Sequence, residues 1–375
     1  MLGSAPAVRR PRERPVSVCL PAFNGAPYVG EAIRSVLEQS FEDFELVVVD
    51  DGSTDGTADV VAGFQDDRLR LVRHQTRLGL VGNWNRCLDL AHGRHVTLFH
   101  QDDLMAPENL QLKVRFLEEH ASVGLVHSNI TQIDARGGVL SGHWYVPPTP
   151  DDEGPHDGAI FFHRLVTGVN MVCAPSVMMR RAIFEQLGGF DPRLSFTADW
   201  EMWLRIALFH DIGYLTQPLV RYRRHDAMET ARFTRWQQLE QSYLAKMLAL
   251  EKYPDRVPDV DALRRRISED YRDRALGHAR KELEEGRPGP AGEYLRVMLA
   301  VCESMRHGHG SDALEARLRE AEARAESARA RVEELGRALD GRDRLIDTML
   351  QTRVWRTAQK WWSVKHAAGQ LLRRP

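Results

Sequence analysis

The chain has few cysteines, no long apolar run and almost no net charge. Four cysteines occur among 375 residues, at Cys19, Cys87, Cys173 and Cys302, and no two of them form a CxxC pair. Buried free thiols in a reducing compartment explain this usage best. No stretch approaches the ~20 apolar residues that cross a bilayer, and a formal net charge of −2 provides no field that would favour nucleic acid. The sequence therefore predicts a cytoplasmic protein that binds no nucleic acid and is at most peripheral to a membrane.

Residues 1–15 contain charge and proline but no apolar core. They match neither a signal peptide nor a spanning helix, and they are expected to form a disordered arm. The whole chain is longer than one average domain, and its 43% apolar content is enough for a sizeable core. One globular domain followed by an appendage fits this length.

Short β-rich runs alternate with helical patterns in the first half of the chain. This alternation is the signature of βαβ units and predicts an α/β fold with a mostly parallel central sheet. The strands are expected near 16–20, 45–49, 69–73, 95–99 and 123–128, and the helices near 27–38, 56–64, 80–91 and 107–119.

The periodicity is lost over residues 134–165, where Gly, Pro and Asp gather. This region is expected to be a loop that could cover a bound substrate. Order returns with the strand-like run NMVCAPSVMMRR, a short helix, and a further strand, YLTQPLVRYRRH. The globular domain is therefore expected to span residues 16–226.

Three segments are expected beyond this domain. Residues 227–310 form a helical extension that is interrupted by prolines and glycines. Heptad spacing of Leu and Ala predicts a coiled coil over 311–350 that associates chains, with a single solvated helix as the alternative. The tail 351–375 places tryptophans beside arginines and lysines, a pattern that suits a membrane interface and equally suits packing on a protein.

The most informative segment is the buried strand ELVVVDD, which ends in Asp50 and Asp51 and turns through Gly52 and Ser53. Ligands bind at the carboxyl edge of open α/β sheets, where these carboxylates would lie. Turn chemistry alone also explains the segment, because Asp, Gly, Ser and Thr bond the turn backbone. A second acidic pair at 102–103 follows a later strand and favours the ligand interpretation. The role of Asp50 stays open between ligand binding and bracing of the turn.

Three further motifs occur in order along the chain: PAFN at 21–24, HQDD at 100–103, and GGFD followed by TADWEMWLR at 188–205. Together with DDGST, they resemble the family 2 glycosyltransferases, whose GT-A fold binds nucleotide-sugars. The resemblance implies an inverting, metal-dependent enzyme of polysaccharide biosynthesis. Such an enzyme would move a sugar from a nucleoside-diphosphate sugar to a glycan, a lipid-linked acceptor or a glycoprotein.

The resemblance assigns recognition of the donor nucleotide to the first motifs. A uracil, thymine or guanine ring presents an imide-type N–H, and a carboxylate fixed at a strand end is a charge-assisted acceptor for it. This is the implied role of Asp51, beside the turn residue Ser53. Phe23 is expected to stack on the base, with Pro21 and Asn24 framing the pocket.

The departing diphosphate carries extra negative charge, which a divalent cation neutralises as a Lewis acid. Hard oxygen ligands suit Mg²⁺ or Mn²⁺. The sequence departs from a literal DxD motif, because Gln101 stands where the first Asp would be. The resemblance therefore makes Asp103 the metal ligand and Asp102 the ribose contact, although both acids could instead cap the helix after Pro107. His225 resembles a C-terminal histidine that contacts metal or phosphate, with a purely structural hydrogen bond as the alternative.

An inverting transferase needs a general base near the acceptor hydroxyl. Asp199, at the start of a helix, is the candidate by position, although Ala198 replaces the usual Glu of the motif. Glu201 is the rival, and the two point to different helix faces. Trp200 and Trp203 are expected either to wall the acceptor sugar or to lie in the core.

Two other classes of protein compete with this interpretation. The first is an inactive, transferase-like scaffold that presents the coiled coil to partners, which the intact acidic positions disfavour. The second is a nucleotide-cofactor oxidoreductase, but the first strand is followed by PAFNGAPYVG and not by GxGxxG.

Overall fold

Residues 14–143 and 153–307 are described by a computed structural model of the chain. Most of the predicted arm 1–15, the predicted coiled coil 311–350 and the predicted tail 351–375 lie outside these described residues. Within the described ranges, no helix combines the length and the apolar character that a membrane span requires. Cys19, Cys87 and Cys173 form no disulfide bond among the described residues.

The described strands form one ten-stranded sheet. In chain order they are β1 (Val16–Ala22), β2 (Phe44–Asp50), β3 (Leu69–Arg73), β4 (His95–Leu98), β5 (Leu104–Met105), β6 (Val123–Ile133), β7 (Val139–His143), β8 (Gly154–His156), β9 (Val177–Arg180) and β10 (Asp211–Arg223). In space the order is β3-β2-β1-β4-β9-β6-β10-β5, with β7 paired to β6 and β8 to β10. The pairs among β1 to β4 are parallel, as is β6 with β10, and the remaining pairs are antiparallel. The expected mostly parallel sheet is confirmed.

Helices flank this sheet and continue beyond it. They are α1 (Val29–Leu37), α2 (Thr57–Ala62), α3 (Gly79–Leu90), α4 (Asn109–Glu119), α5 (Gly158–Thr167), α6 (Ala182–Leu187), α7 (Ala198–Ala207), α8 (Arg235–Lys252), α9 (Val260–Glu284) and α10 (Pro288–His307). Every strand and helix that the sequence predicted for the first half overlaps one of these elements.

The centre of the sheet forms because its strands are apolar on both faces. All seven residues of β1 are buried, and so are six of the seven in β2. Such continuous apolar runs are typical of parallel strands covered by helices on both sides. Helix α1 supplies one cover through Val29, Ile33 and Val36, whose spacing forms a single apolar stripe.

The expectation of a loop over 134–165 is wrong at β7, at β8 and at its end, where α5 begins. Asp157 caps this helix by accepting a hydrogen bond from the backbone N–H of Ile160 at 2.9 Å. Phe161 and Phe162 are buried on its inner face. Asp157 followed by an apolar run is a helix-start signal, and the neighbouring Gly and Pro residues hid it from the sequence analysis.

Helices α8, α9 and α10 follow the last strand and pack on one another, and α8 also packs on α7. The helical conformation is interrupted between α8 and α9 at Pro254–Arg256, and between α9 and α10 at Gly286, where φ is +73°. Both interruptions occur where the sequence has proline and glycine. The hydroxyls of Tyr243 and Ser268 lie 2.9 Å apart and join α8 to α9.

Candidate active site

Two acidic loops meet at one edge of the sheet. Strand β1 is paired in parallel with β2 on one side and with β4 on the other. The first acidic loop, residues 50–57, begins at the end of β2, and the second acidic loop, residues 100–103, follows β4. Because the three strands are parallel, both loops lie at their carboxyl edge, where ligands bind in open α/β sheets.

Asp51, in the first acidic loop, holds the start of α3. Its side chain is buried, with 2% of the residue exposed. Its Oδ1 accepts a hydrogen bond from the backbone N–H of Leu78 at 2.6 Å, and its Oδ2 accepts one from Gly79 at 2.9 Å. Each carboxylate oxygen has a second lone pair, so this capping leaves Asp51 able to accept a further bond.

Asp50 braces the turn of the first acidic loop. It is fully buried, and its Oδ1 accepts a hydrogen bond from the backbone N–H of Ser53 at 3.1 Å. Its Oδ2 lies 3.1 Å from Nε of Arg73. Gly52 completes the turn with φ at +76°, a conformation that favours glycine. The role that the sequence left open for Asp50 is thus a structural one.

The PAFN segment is tied to both acidic loops. The backbone N–H of Asn24 donates to Oγ of Ser53 at 2.9 Å, and Asn24 Oδ1 accepts from the backbone N–H of Thr54 at 3.0 Å. The backbone of Phe23 donates to Oε1 of Gln101 and accepts from its Nε2, each at 3.0 Å. Gln101, which departs from a literal DxD motif, therefore joins the second acidic loop to β1.

Arg77 is a residue of this edge that the sequence analysis missed. Its guanidinium lies 3.8 Å from the centre of the Phe23 ring, and its Nε lies 4.0 Å from Oδ2 of Asp51. The arginine thus contacts both predicted base-binding residues. Pro21 lies within β1, buried opposite Val49. No sequence motif marked Arg77, because its loop joins this edge only in the folded chain.

The second acidic loop gathers three groups that suit a metal ion. His100, Asp102 and Asp103 each offer a ligand atom, and these atoms all lie within 4.8 Å of one another. Asp103 is 1% exposed, and its Oδ1 accepts a hydrogen bond from the backbone N–H of Arg223 at 2.8 Å. Its Oδ2 has no hydrogen-bond partner among the described residues.

Burial, and then the negative charge of Asp102, raise the pKa of Asp103 well above its usual range. A buried oxygen without a partner and two adjacent carboxylates are both unfavourable unless a cation is present. The residues therefore fit a divalent cation with oxygen ligands. His100 was quoted in the HQDD motif but was not predicted to be a ligand.

His225 lies beside this cluster and contacts Asp102. Its Nε2 is 3.0 Å from Asp102 Oδ2, and its ring is 4.7 Å from that of Tyr28. The buried Arg223 donates from Nε to the backbone carbonyl of Asp102 and from Nη2 to Glu31. The sequence analysis did not single out Arg223, which ties the last strand to the second acidic loop.

The alternative role of the second acidic pair as a helix cap does not hold. The residue that precedes α4 is Glu108, whose side chain forms no capping hydrogen bond, and the backbone N–H of Leu110 in the first turn donates to Oε1 of Gln39 at 3.1 Å. The oxygens of Asp102 and Asp103 bond His225 and Arg223 instead.

Asp199 lies in the first turn of α7. Its Oδ1 accepts a hydrogen bond from the backbone N–H of Trp200 at 2.7 Å, and its Oδ2 accepts one from Nδ2 of Asn170 at 3.1 Å. Desolvation by burial raises the pKa of Asp199 to about 6. A carboxylate with a pKa near neutrality is well suited to accept a proton from a hydroxyl.

Glu201 has a different environment on the same helix. It is fully buried, and its Oε1 lies 2.7 Å from Nε of Arg205, which is also fully buried. Arg205 donates in turn to the backbone carbonyls of Leu187 and Gly189 at 2.6 and 2.7 Å. Glu201 thus stabilises the GGFD turn from inside the core.

The two tryptophans of α7 also lie in the core. Trp200 is 6% exposed and Trp203 is 2% exposed. The ring of Trp203 meets that of Phe190 edge to face. Of the two roles considered for these residues, the structure places them in the core.

Helix α8 bonds two segments near Asp199: the residues just before α7 and the segment that contains Asn170. The backbone carbonyl of Gln241 accepts from Oγ1 of Thr197 at 2.9 Å, and its Oε1 accepts from the backbone N–H of Ser195 at 3.0 Å. The ammonium group of Lys246 donates to the carbonyl of Gly168 at 2.9 Å, two residues before Asn170. The helical extension therefore fixes the surroundings of Asp199.

Cys173 lies between the second acidic loop and α7. Burial raises the pKa of its thiol well above the usual range, and the negative charges of Asp103 and Asp199 add to this effect. Both carboxylates are thus close enough to Cys173 to act on it.

Known proteins are similar to this chain in sequence. The model of the family Glycosyl transferase family 2 matches residues 17–188. The uncharacterized protein MT1568 of Mycobacterium tuberculosis is 30% identical over 221 residues, which cover 58% of this chain and 69% of that protein. The putative glycosyltransferase EpsE of Bacillus subtilis is 30% identical over 226 residues, which cover 58% of this chain and 77% of EpsE.

A solved structure agrees in fold at lower identity. Residues 1-349 of S. aureus TarS, in complex with UDP-GlcNAc, superpose with a TM-score of 0.57 at 19% identity, covering 84% of this chain and 91% of that one. This likeness supports the GT-A fold predicted from the motifs. The chain therefore belongs to glycosyl transferase family 2 and is a glycosyltransferase with a GT-A fold.

Proposed function

We propose that the chain is an inverting, metal-dependent glycosyltransferase of polysaccharide biosynthesis. It would move a sugar from a nucleoside-diphosphate sugar to a hydroxyl of a glycan, lipid-linked or glycoprotein acceptor. The observation that carries the metal dependence is the buried Oδ2 of Asp103, which has no hydrogen-bond partner among the described residues and lies in a cluster of three ligands.

In place of the ribose contact expected for Asp102 and the metal contact expected for His225, Asp103, Asp102 and His100 would hold the cation, Mg²⁺ or Mn²⁺. His225 would orient Asp102 through its hydrogen bond. A divalent cation at this position would stabilise the charge that develops on the diphosphate. Arg223 fixes the loop by bonding the backbone of Asp102 and the carboxylate of Glu31. Arg223 and His225 would thus keep the metal-binding side chains in position.

The first acidic loop and the PAFN segment would bind the nucleotide. Asp51 has accepting capacity left for an imide N–H of the base, and Phe23 offers a ring already aligned with the Arg77 guanidinium. Ser53 and Asn24 fix the backbone of this pocket by bonding each other. A UDP-sugar is the first donor to test, because the TarS structure holds UDP-GlcNAc.

Asp199 would act as the general base. The acceptor hydroxyl loses its proton to Asp199 while its oxygen forms a bond to the anomeric carbon. The bond from that carbon to the diphosphate breaks, and the electron pair leaves with the diphosphate. Glu201 is unsuited to this role because it is fully buried and paired with Arg205.

A screen of donors tests this proposal. Purified protein is incubated with UDP-, GDP- and dTDP-sugars in the presence of Mn²⁺, and the released nucleotide is measured. Release from one class of donor that stops on adding EDTA is the expected result. Release that resists EDTA would contradict the metal dependence, and no release from any donor would favour an inactive scaffold.

The partners of the chain are proposed from sequence alone. The heptads of 311–350 would associate chains, and the tail 351–375 would hold them near an anionic surface that bears the acceptor. Sedimentation and liposome flotation of the full chain and of a chain ending at residue 310 test this. A full chain that sediments as a monomer, or one that never floats with vesicles, contradicts the corresponding part.

A further inference from the structure

A cavity lies beside α7 that the donor chemistry does not use. It is bounded by β6, β10, α5 and the segment before β9, and its volume of about 100 Å³ is room for several water molecules or for part of a sugar ring. Residues that line it include His127 and Ser128 of β6, Phe161 and Arg164 of α5, and Tyr214 of β10.

One wall of this cavity is connected to the proposed base through Asn170. Met171 and Cys173 line it. Asn170, one residue before Met171, donates to Oδ2 of Asp199 at 3.1 Å. Asp199 is also close enough to Cys173 for its charge to act on the thiol. Asp199 itself is not among the lining residues, and Asn170 connects its carboxylate to the wall that Met171 and Cys173 form.

The walls of the cavity combine aromatic faces with polar atoms. The His127 ring lies 4.9 Å from that of Tyr214 and 6.0 Å from that of Phe161. Aromatic faces pack well against the C–H surfaces of a sugar. His127 Nε2 and Ser128 Oγ belong to residues that are more than nine-tenths buried, and neither atom has a hydrogen-bond partner among the described residues. Hydroxyl groups of a bound sugar would supply the missing partners.

Two cationic groups near the cavity have no carboxylate partner in the part of the chain that the structure describes. Arg164 lines the cavity with an exposed side chain that forms no ion pair there. Lys113 of α4 is fully buried, and its Nζ lacks a hydrogen-bond partner within the described ranges. Lys113 does not line the cavity, but it interacts electrostatically with His127 and Cys173, which do. Burial lowers the pKa of Lys113 to about 7. An anionic group would be attracted by the Arg164 guanidinium and would favour the protonated form of Lys113.

We propose that this cavity binds the accepting sugar of the transfer reaction, and that this sugar bears a carboxylate or a phosphate group. The inference rests on the proposed function, because it identifies the cavity as the acceptor site of that reaction. The anion would lie between Arg164 and the Lys113 side, and the sugar ring would pack on Tyr214 and Phe161. Asp199 would then meet the accepting hydroxyl.

Binding measurements without donor test the inference directly. The affinities of methyl glucuronide, methyl glucoside 6-phosphate and methyl glucoside are measured by NMR titration of the full chain. We expect at least one anionic glycoside to bind about tenfold tighter than the neutral one. The carboxylate and phosphate arms decide which anion is preferred.

Arg164→Gln should remove most of this preference while the protein stays folded, because the side chain is exposed. Arg280→Gln is the matched control, since Arg280 is an exposed arginine of α9 that pairs with Glu284 and lies outside the cavity lining. Lys113→Met is a second variant, and it should reduce the preference further if the chain still folds. Equal binding of all three glycosides, or an unchanged preference in Arg164→Gln, would overturn the inference.

The same preparations separate this inference from the proposed function. If nucleotide is released from a donor while no anionic glycoside is preferred, the proposed function stands and the acceptor assignment fails. If an anionic glycoside is preferred in the wild-type chain but not in Arg164→Gln, while no donor is turned over, the site stands and the proposed function fails.

Discussion

The two acidic loops lie at the same edge of one sheet, yet they differ in how their carboxylates are bonded. In the first acidic loop, Asp51 bonds two backbone N–H groups, and Asp50 bonds Ser53 and pairs with Arg73. In the second acidic loop, Asp103 leaves one buried oxygen without a hydrogen-bond partner among the described residues. Asp50 Oδ2 is also buried without a hydrogen-bond partner among the described residues, but the guanidinium of Arg73 lies 3.1 Å from it, whereas Asp103 Oδ2 has the His100 ring at 3.9 Å.

This difference in bonding distinguishes a carboxylate that the protein itself bonds from one that is left for a ligand. The sequence does not make this distinction. Both loops have two adjacent acids after a buried strand, and their sequences alone suggest similar roles. A buried carboxylate that the protein satisfies contributes to folding, whereas one that it leaves unsatisfied lowers stability unless a ligand is bound. A similar contrast recurs on α7, where Glu201 is paired with Arg205 inside the core and Asp199 bonds Asn170, next to a residue that lines a cavity.

The largest effect is expected from the two acids of α7. Asp199→Asn should lower acceptor-dependent transfer by ~10²–10⁴, the usual cost of removing a general base. Donor binding should be nearly unchanged, because the amide keeps the shape of the side chain. Steady-state kinetics with a saturating acceptor, and a separate donor-binding titration, measure the two quantities.

Glu201→Gln is the matched partner of this test. It should leave Arg205 buried without its counter-ion and lower the stability of the fold by about 3–5 kcal/mol. The rate per folded molecule should change little. If instead Glu201→Gln folds normally and cannot transfer sugar while Asp199→Asn is active, the two acids have been assigned the wrong way round.

The second effect concerns the unsatisfied oxygen of the second acidic loop. Asp103→Asn keeps an acceptor for the backbone N–H of Arg223 but removes the charge, so turnover should fall by ~10²–10³. The melting temperature should not fall, because the change removes an unfavourable buried charge. Thermal unfolding and nucleotide release in Mn²⁺ measure both.

Asp66→Asn serves as the control for this variant. Asp66 precedes β3 at the opposite edge of the sheet and pairs with Arg68 at 2.8 Å, so its loss should not alter turnover. Full activity of Asp103→Asn in the presence of EDTA would remove the metal from the mechanism.

The sequence predicted the carboxyl edge of the sheet well, because the motifs that mark this edge are local. Buried apolar strands, the turn at Asp50 to Ser53 and the HQDD motif are each contained in a few neighbouring residues. The strands, the helices of the first half and the fold class followed from them. Ala198 and Gln101 depart from the family's motifs, and Gln101 proves to join β1 to the second acidic loop.

The remainder depends on residues that are distant in the chain. Gln101 bonds a residue 78 positions away, and Arg223 bonds Glu31 across 192 positions. Asn170 reaches Asp199 only because α5 turns the chain back towards α7. No periodicity or motif encodes such pairs, so Arg77, Asn170 and the cavity beside α7 emerged only from the folded chain.

A smaller effect should distinguish Asp51 from Asp103. Asp51→Ala removes the acceptor of two backbone N–H groups at the start of α3, which should cost about 1–3 kcal/mol of unfolding free energy. Denaturant unfolding measures this loss. The donor KM should also rise if Asp51 binds the base. An unchanged stability would contradict the role of Asp51 in holding the start of α3.

The smallest effect is the pH dependence of Asp199. A carboxylate accepts a proton only when it is ionised, and burial raises the pKa of this group to about 6. The kcat/KM for the acceptor should therefore be constant above this pH and fall about tenfold for each pH unit below it. The residual activity of Asp199→Asn should lack this dependence, and Glu201→Gln should keep it.

The stability of the fold should depend on pH with the opposite sign. Because the folded pKa of Asp199 lies above the unfolded value, ionisation of Asp199 lowers stability as the pH rises through this range. Asp199→Asn should consequently gain stability relative to the wild type between pH 5 and pH 8, as measured by thermal unfolding at both values. A rate that falls only near pH 4, with no relative gain in stability, would mean that Asp199 is solvated like an ordinary surface acid and is not the buried base of this site.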